Sequence, residues 1–176
     1  MEKLALKDIL ARMLAHKEEP SPPPAPTAPS RPALDAAVLI VDDSRTIVRA
    51  LQLMLEREGY LTYTAADGAQ AVALARRHGP DAILMDIVMP NMNGFEATRI
   101  LVNDPRTAAI PIIMVSGTEQ SADRVWGLRL GAKGFLAKPI NKDELLVRVR
   151  SVIAVARRAR QPEVVTLPAE TDLLSR

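Results

Sequence analysis

Short, unbroken apolar runs alternate along most of this chain with stretches whose apolar positions recur every three or four residues. Val38-Leu39-Ile40-Val41, Ala82-Ile83-Leu84-Met85 and Ile112-Ile113-Met114-Val115 are the clearest runs. Runs of that length, bounded by Gly, Pro, Asp or Asn, predict strands buried on both faces. Tyr60–Ala65 and Lys133–Ala137 are weaker runs of the same kind, and Pro111 marks the entry to the fourth strand. Between the runs the period changes to that of a helix. Ser44 is a suitable N-cap for a helix carrying Ile47, Val48, Leu51 and Met54-Leu55, which stops near Glu58-Gly59. Asp67-Gly68 opens a second helix, with Ala71, Val72, Leu74 and Ala75, and Gly79-Pro80 closes it. A third is predicted over about residues 94–103 and a fourth over about 119–130, ending at Gly131. A fifth starts near Asn141 and carries Leu145, Leu146, Val149, Val152, Ile153 and Val155.

Five strand–helix pairs joined by short connections imply parallel strands, right-handed crossovers and helices on both faces of one sheet. The expected fold class is α/β, a doubly wound five-stranded parallel sheet in the flavodoxin-like order 2-1-3-4-5, over residues 36–158. Three segments lie outside it. Residues 1–19 contain an amphipathic stripe, Leu6, Ile9, Leu10, Met13 and Leu14, expected to form a helix that needs a partner to be stable. Residues 20–35 are proline-rich and read as an extended, semi-rigid linker. Residues 159–176 read as a flexible tail.

Composition narrows the chemistry. The chain has 176 residues, 48% of them hydrophobic, which suits one domain with a real core plus extra segments. It has no cysteine, so disulfides, thiolate metal sites and cysteine catalysis are excluded. A net charge of +2 is too balanced for a nucleic-acid grip spread over the protein. No apolar run approaches the roughly 20 residues of a membrane span, and the charged N-terminal stretch does not read as a secretory signal. A soluble, cytoplasmic protein is expected. His16 and His78 both read as surface residues.

The predicted topology brings four strand ends to one edge. The first strand delivers Asp42 and Asp43, the third Asp86, the fourth Ser116 and the fifth Lys138. Ligands bind at that edge in open α/β sheets. Converging carboxylates repel one another unless a cation joins them, and oxygen ligands with room for water suit Mg²⁺. With a metal, a lysine and a hydroxyl supplying position and charge neutralisation, Asp86 becomes a candidate nucleophile for phosphoryl groups. Taken singly, each residue has a plainer role. Asp42 or Asp43 can cap the following helix, Ser116 can be a turn residue, Lys138 a solvated charge and Phe135 core. The joint arrangement carries the reading.

Residues 37–157 resemble the receiver domains of two-component response regulators of the single-domain, CheY-like type. The motifs are Val41-Asp42-Asp43-Ser44, Met85-Asp86-Ile87-Val88-Met89-Pro90 with Asn93-Gly94, Val115-Ser116-Gly117 and Gly134-Phe135-Leu136-Ala137-Lys138-Pro139. The resemblance implies that Asp86 is the phosphoacceptor, charged by a histidine kinase of the CheA-like kind. It implies that Asp43, Asp86 and the backbone carbonyl of Val88 hold Mg²⁺, with Asp42 assisting through water. It further implies that Lys138 pairs with the acyl phosphate and that Lys138-Pro139 is a cis peptide. Ser116 would then bond the phosphoryl group while Phe135 rotates inward, altering the face formed by the fourth helix, fifth strand and fifth helix, where a downstream motility or signalling protein docks. A finer resemblance, over residues 85–99 and 125–132, is to the regulators of type IV pilus twitching motility.

Other classes compete less well. An aspartyl phosphatase wants a second acid two residues after the nucleophile, and Val88 stands there. A DNA-binding regulator needs a helix-turn-helix module, and the stretch after the fifth helix is expected to be too short for one. The basic end of that helix (Arg148, Arg150, Arg157, Arg158, Arg160) reads as a solvated or partner-binding face, with no nucleic-acid partner expected. A phosphate sink for its kinase and a phosphorylation-independent docking scaffold stay open. The N-terminal helix is a candidate partner-docking element. Trp126, alone of its type, is expected to pack in the core or a groove.

Overall fold

The computed structural model describes residues 36–117 and 121–160. The N-terminal helix and the proline-rich linker lie outside those residues, as does the tail beyond Arg160. The expected alternation is present. In chain order the elements are β1 (Ala37–Val41), α1 (Arg45–Glu56), β2 (Leu61–Ala65), α2 (Gly68–His78), β3 (Ala82–Asp86), α3 (Gly94–Asn103), β4 (Ile112–Ser116), α4 (Ser121–Arg129), β5 (Gly134–Ala137) and α5 (Lys142–Arg160). All strand pairs are parallel, and the sheet order is β2-β1-β3-β4-β5.

Strand periodicity explains why the central strands are apolar throughout. Side chains alternate between faces of a strand, and both faces of β1 are covered. Val38 and Ile40 enter a core with Leu51 and Leu55 of α1 and Leu145, Val149 and Ile153 of α5. Leu39 and Val41 enter a second core with Ala71 and Val72 of α2 and Ala97 and Leu101 of α3. Every residue of β3 and β4 is buried, whereas the edge strand β2 leaves Leu61 and Thr64 exposed.

Local signals set the helix ends. The Ser44 side chain accepts from Ile47 N and that of Asp67 from Gln70 N. Asn93 and Glu96 form a reciprocal capping box on α3, and Asn141 accepts from the backbone N–H groups of Asp143 and Glu144. Gly79 closes α2 at a φ of 54°, where a side chain would be strained. The fifth helix continues through Arg160, whose guanidinium donates to the Ala109 carbonyl at 2.8 Å. Among the described residues no helix is long and apolar enough to cross a membrane.

Trp126 differs from the expectation: it is 60% exposed. The reason is the register of α4. Gly127 faces the sheet so closely that a Cβ there would lie 3.1 Å from Met114 Cγ. The preceding residue points about 100° away around the helix, so Trp126 stands in solvent beside exposed Val125 and Leu128.

The packing of α5 yields a paired prediction. Leu145→Ala, at a fully buried position, is expected to cost about 2–5 kcal/mol in urea unfolding. Val147→Ala, one turn-face away and exposed, is expected to stay within about 0.5 kcal/mol. Equal effects would mean that α5 does not sit on the sheet in this register.

Candidate functional site

Parallel strands deliver their C-terminal residues to one edge, and the register fixes which residues meet. Asp42 and Asp43 follow β1, Asp86 is the last residue of β3 and Ser116 the last of β4, and Lys138 follows β5. Asp86 lies opposite Val115, and Ser116 opposite Ala137. The ladder continues one step beyond the strands, with Ile87 N donating to Val115 O at 3.1 Å and Lys138 N to Ser116 O at 2.8 Å. The Lys138–Pro139 peptide is cis.

The Lys138 ammonium lies 2.7 Å from Asp42 Oδ2 and 3.0 Å from Asp86 Oδ1. Asp42 and Asp86 are buried, and Asp43 is exposed. The other Asp42 oxygen accepts from Ser44 N at 2.8 Å, so both of its oxygens are engaged. Burial raises the Asp86 carboxyl above its ordinary range, against the opposing pull of Lys138. Partial burial alone would lower the Lys138 ammonium, but its hydrogen bonds to Asp42 and Asp86 outweigh that and hold it above the usual lysine value. Lys138 therefore stays cationic between two acids.

Asp42, Asp43 and Asp86 each place one carboxylate oxygen within 4.8 Å of the others. That donor set suits a hard cation such as Mg²⁺, which takes oxygen ligands at about 2.0–2.1 Å and usually keeps several waters. The Val88 side chain is 78% exposed and offers no polar group beside Asp86. Phe135 is half-buried and packs against the core that lies under α2 and α3.

Two contributors have roles that the motifs do not state. A Cβ on Gly94 would overlap the backbone carbonyl oxygen of Asp86, and Gly94 N donates to Ile87 O at 3.0 Å. Glycine is thus required for α3 to begin directly against the backbone of Asp86. In sequence, Asn93-Gly94 stands in the motif and at the start of a helix, and the close backbone approach behind it does not show. The second is Asp123, in the first turn of α4, which accepts a hydrogen bond from Ser116 Oγ at 3.2 Å. An acid in a helix's first turn is common for electrostatic reasons, so nothing in the pattern singles it out.

Sequence and structural similarity both point to one family of proteins. Residues 38–150 match the family model described as the response regulator receiver domain. Protein PilH of Pseudomonas aeruginosa is 49% identical over 119 residues, which is 68% of this chain and 98% of that protein. Response regulator PleD of Caulobacter vibrioides is 44% identical over 119 residues, again 68% of this chain but only 26% of PleD. Among solved structures, the chemotaxis protein CheY4 of Vibrio cholerae superposes with a TM-score of 0.64 at 36% identity, covering 66% of this chain and 98% of that one. The receiver domain of a Pseudomonas aeruginosa sensor histidine kinase, solved with a magnesium ion coordinated in its active site cleft, gives a TM-score of 0.64 at 34% identity. It covers 68% of this chain and 98% of its own.

The raised Asp86 carboxyl makes a prediction with a definite sign. The folded chain holds that proton more tightly than the unfolded chain, so the ionised group costs stability at neutral pH. The cost vanishes as pH falls and Asp86 protonates. Asp86→Asn is therefore expected to melt a few degrees above wild type at neutral pH in metal-free buffer. The difference should shrink as pH is lowered through the carboxylate range, followed by circular dichroism. A lower melting temperature for Asp86→Asn would reverse the sign.

Proposed function

The chain belongs to the response regulator receiver domain family, and on that premise we propose that it takes a phosphoryl group from a histidine kinase onto Asp86 and thereby switches the binding of a partner protein. The observation that carries this reading is the buried Asp86 carboxylate at the end of β3, 3.0 Å from the Lys138 ammonium.

In the transfer, an Asp86 carboxylate oxygen attacks phosphorus. The new O–P bond forms as the N–P bond of the donor phosphohistidine breaks, and the imidazole leaves with the electron pair and takes up a proton. A small donor such as acetyl phosphate would lose acetate instead. Lys138 meets the charge that arrives, because its ammonium already faces Asp86. Asp43, the Asp86 oxygen not facing Lys138 and the Val88 carbonyl would hold Mg²⁺. Asp42 would act through water, since Ser44 N and Lys138 already engage both of its oxygens. When bound, the metal supplies charge neutralisation for the phosphoryl oxygens. Ser116 would hydrogen-bond the phosphoryl group and draw its own loop inward, and Phe135 would then rotate inward.

The output surface proposed is the face of α4, β5 and α5. Its exposed Val125, Trp126 and Leu128 on α4 and Val147 on α5 are apolar positions that a partner would cover. The identity with Protein PilH, together with the motif resemblance over 85–99 and 125–132, supports an output in type IV pilus twitching motility.

Incubation with acetyl phosphate and Mg²⁺, followed by a phosphate-affinity gel, tests the reading. A retarded band is expected for wild type, and none for Asp86→Ala or for wild type in chelator. A band of equal intensity in Asp86→Ala would move the acceptor elsewhere. No band in wild type would leave a scaffold that works without phosphorylation.

A further inference from the structure

We infer that Asp123 is a positioning residue that withholds the Ser116 hydroxyl from the phosphoryl site, so that phosphorylation of Asp86 and the seating of α4 compete for one proton. The inference rests on the reading of Asp86 as phosphoacceptor and deepens it by naming what the phosphoryl group must displace.

The geometry confines Ser116 closely. It is the last residue of β4, 3% exposed, and its carbonyl accepts from Lys138 N at 2.8 Å. Its backbone is thus tied to the residue that pairs with Asp86, and what remains free to turn is the side chain about χ1. In the resting protein that side chain points its proton at Asp123 Oδ2, 3.2 Å away. The acceptor is a carboxylate, so the bond is charge-assisted. A hydroxyl has one proton to donate. For Ser116 to donate to a phosphoryl oxygen on Asp86, it must stop donating to Asp123.

The helix on the other end of that bond is lightly held. α1, α2, α3 and α5 each send several side chains into a core, whereas among the described residues of α4 the buried one is Gly127. Val125, Trp126 and Leu128 face outward. The Ser116–Asp123 bond joins β4 to the first turn of this helix. Losing it to the phosphoryl group would loosen α4 where its exposed apolar residues lie, which links the chemistry to the surface. Trp126 stands three residues after Asp123 and is the chain's one tryptophan, so its fluorescence reports on this helix alone.

A double-mutant cycle on the full chain tests the inference. Wild type, Asp123→Ala, Ser116→Ala and the double variant are incubated with limiting acetyl phosphate and Mg²⁺. In each the phosphoryl group moves to an Asp86 oxygen as acetate leaves. Asp123→Ala is expected to raise the initial rate of phosphorylation by roughly two- to tenfold, the usual net worth of one hydrogen bond. In the Ser116→Ala background the same substitution should change the rate little. Asp123→Asn, which keeps an acceptor without the charge, should fall between Asp123→Ala and wild type. The Trp126 emission of unphosphorylated Asp123→Ala should already lie near that of phosphorylated wild type.

An equal gain in both backgrounds would show that Asp123 acts through its charge and not through Ser116, and the inference would fail. So would an unchanged rate in Asp123→Ala. A wild type that takes no phosphoryl group at all would instead sink the phosphoacceptor reading, and this inference with it.

Discussion

The ammonium of Lys138, 2.7 Å from Asp42 and 3.0 Å from Asp86, is the contact on which the functional edge of this protein depends. Two carboxylates buried at adjacent strand ends repel each other and lose the solvation that would keep them charged. One cation between them offsets both costs. Burial still wins at Asp86, whose carboxyl is raised, so the site retains tension that an incoming cation would relieve. A phosphoryl group would bring further negative charge to a place where Lys138 is already oriented to meet it. The same bridge ties β5 to β1 and β3, with neither of which it shares a ladder.

The fold brings these groups together by direction more than by detail. Because every strand runs the same way, each strand end is delivered to the same edge. Apolar pairs of cores on the two faces hold the sheet, leaving the edge free to carry charge. Gly94 then lets α3 start against the carbonyl of Asp86, with Gly94 N donating to Ile87 O beside it. Stability resides in α1, α2, α3, α5 and the central strands. The lightly anchored α4 stands between the site and the outer surface, which is where a two-position element is useful.

Much of this was legible in the sequence, for a physical reason. Apolar runs ending in Asp86, Asp42-Asp43 or Ser116 state both the strand and the group it delivers, since burial dictates the one and chain direction the other. Topology followed from strand–helix alternation, and it placed Lys138 beside residues nearly a hundred positions away. What did not show was whatever depends on the far side of a contact. Gly94 stood in a motif without its physical reason, because the carbonyl it must avoid belongs to another element. Trp126 looked like core because aromatic residues usually are, and only the packing of Gly127 on Met114 turns it outward. Asp123 meets Ser116 because α4 sits at a particular height on the sheet, and its weak amphipathic pattern does not announce that height.

The central claim is that Asp86 itself forms the acyl phosphate, and chemical trapping tests it most directly. Borohydride reduces an aspartyl phosphate to homoserine and leaves free carboxylates untouched. After treatment with acetyl phosphate, Mg²⁺ and borohydride, the tryptic peptide spanning residues 78–99 is fragmented in the mass spectrometer. Homoserine at position 86, with Asp81 in the same peptide unchanged, is the result this account predicts. Homoserine at Asp42 or Asp43, or none anywhere in a folded chain supplied with Mg²⁺, would contradict it.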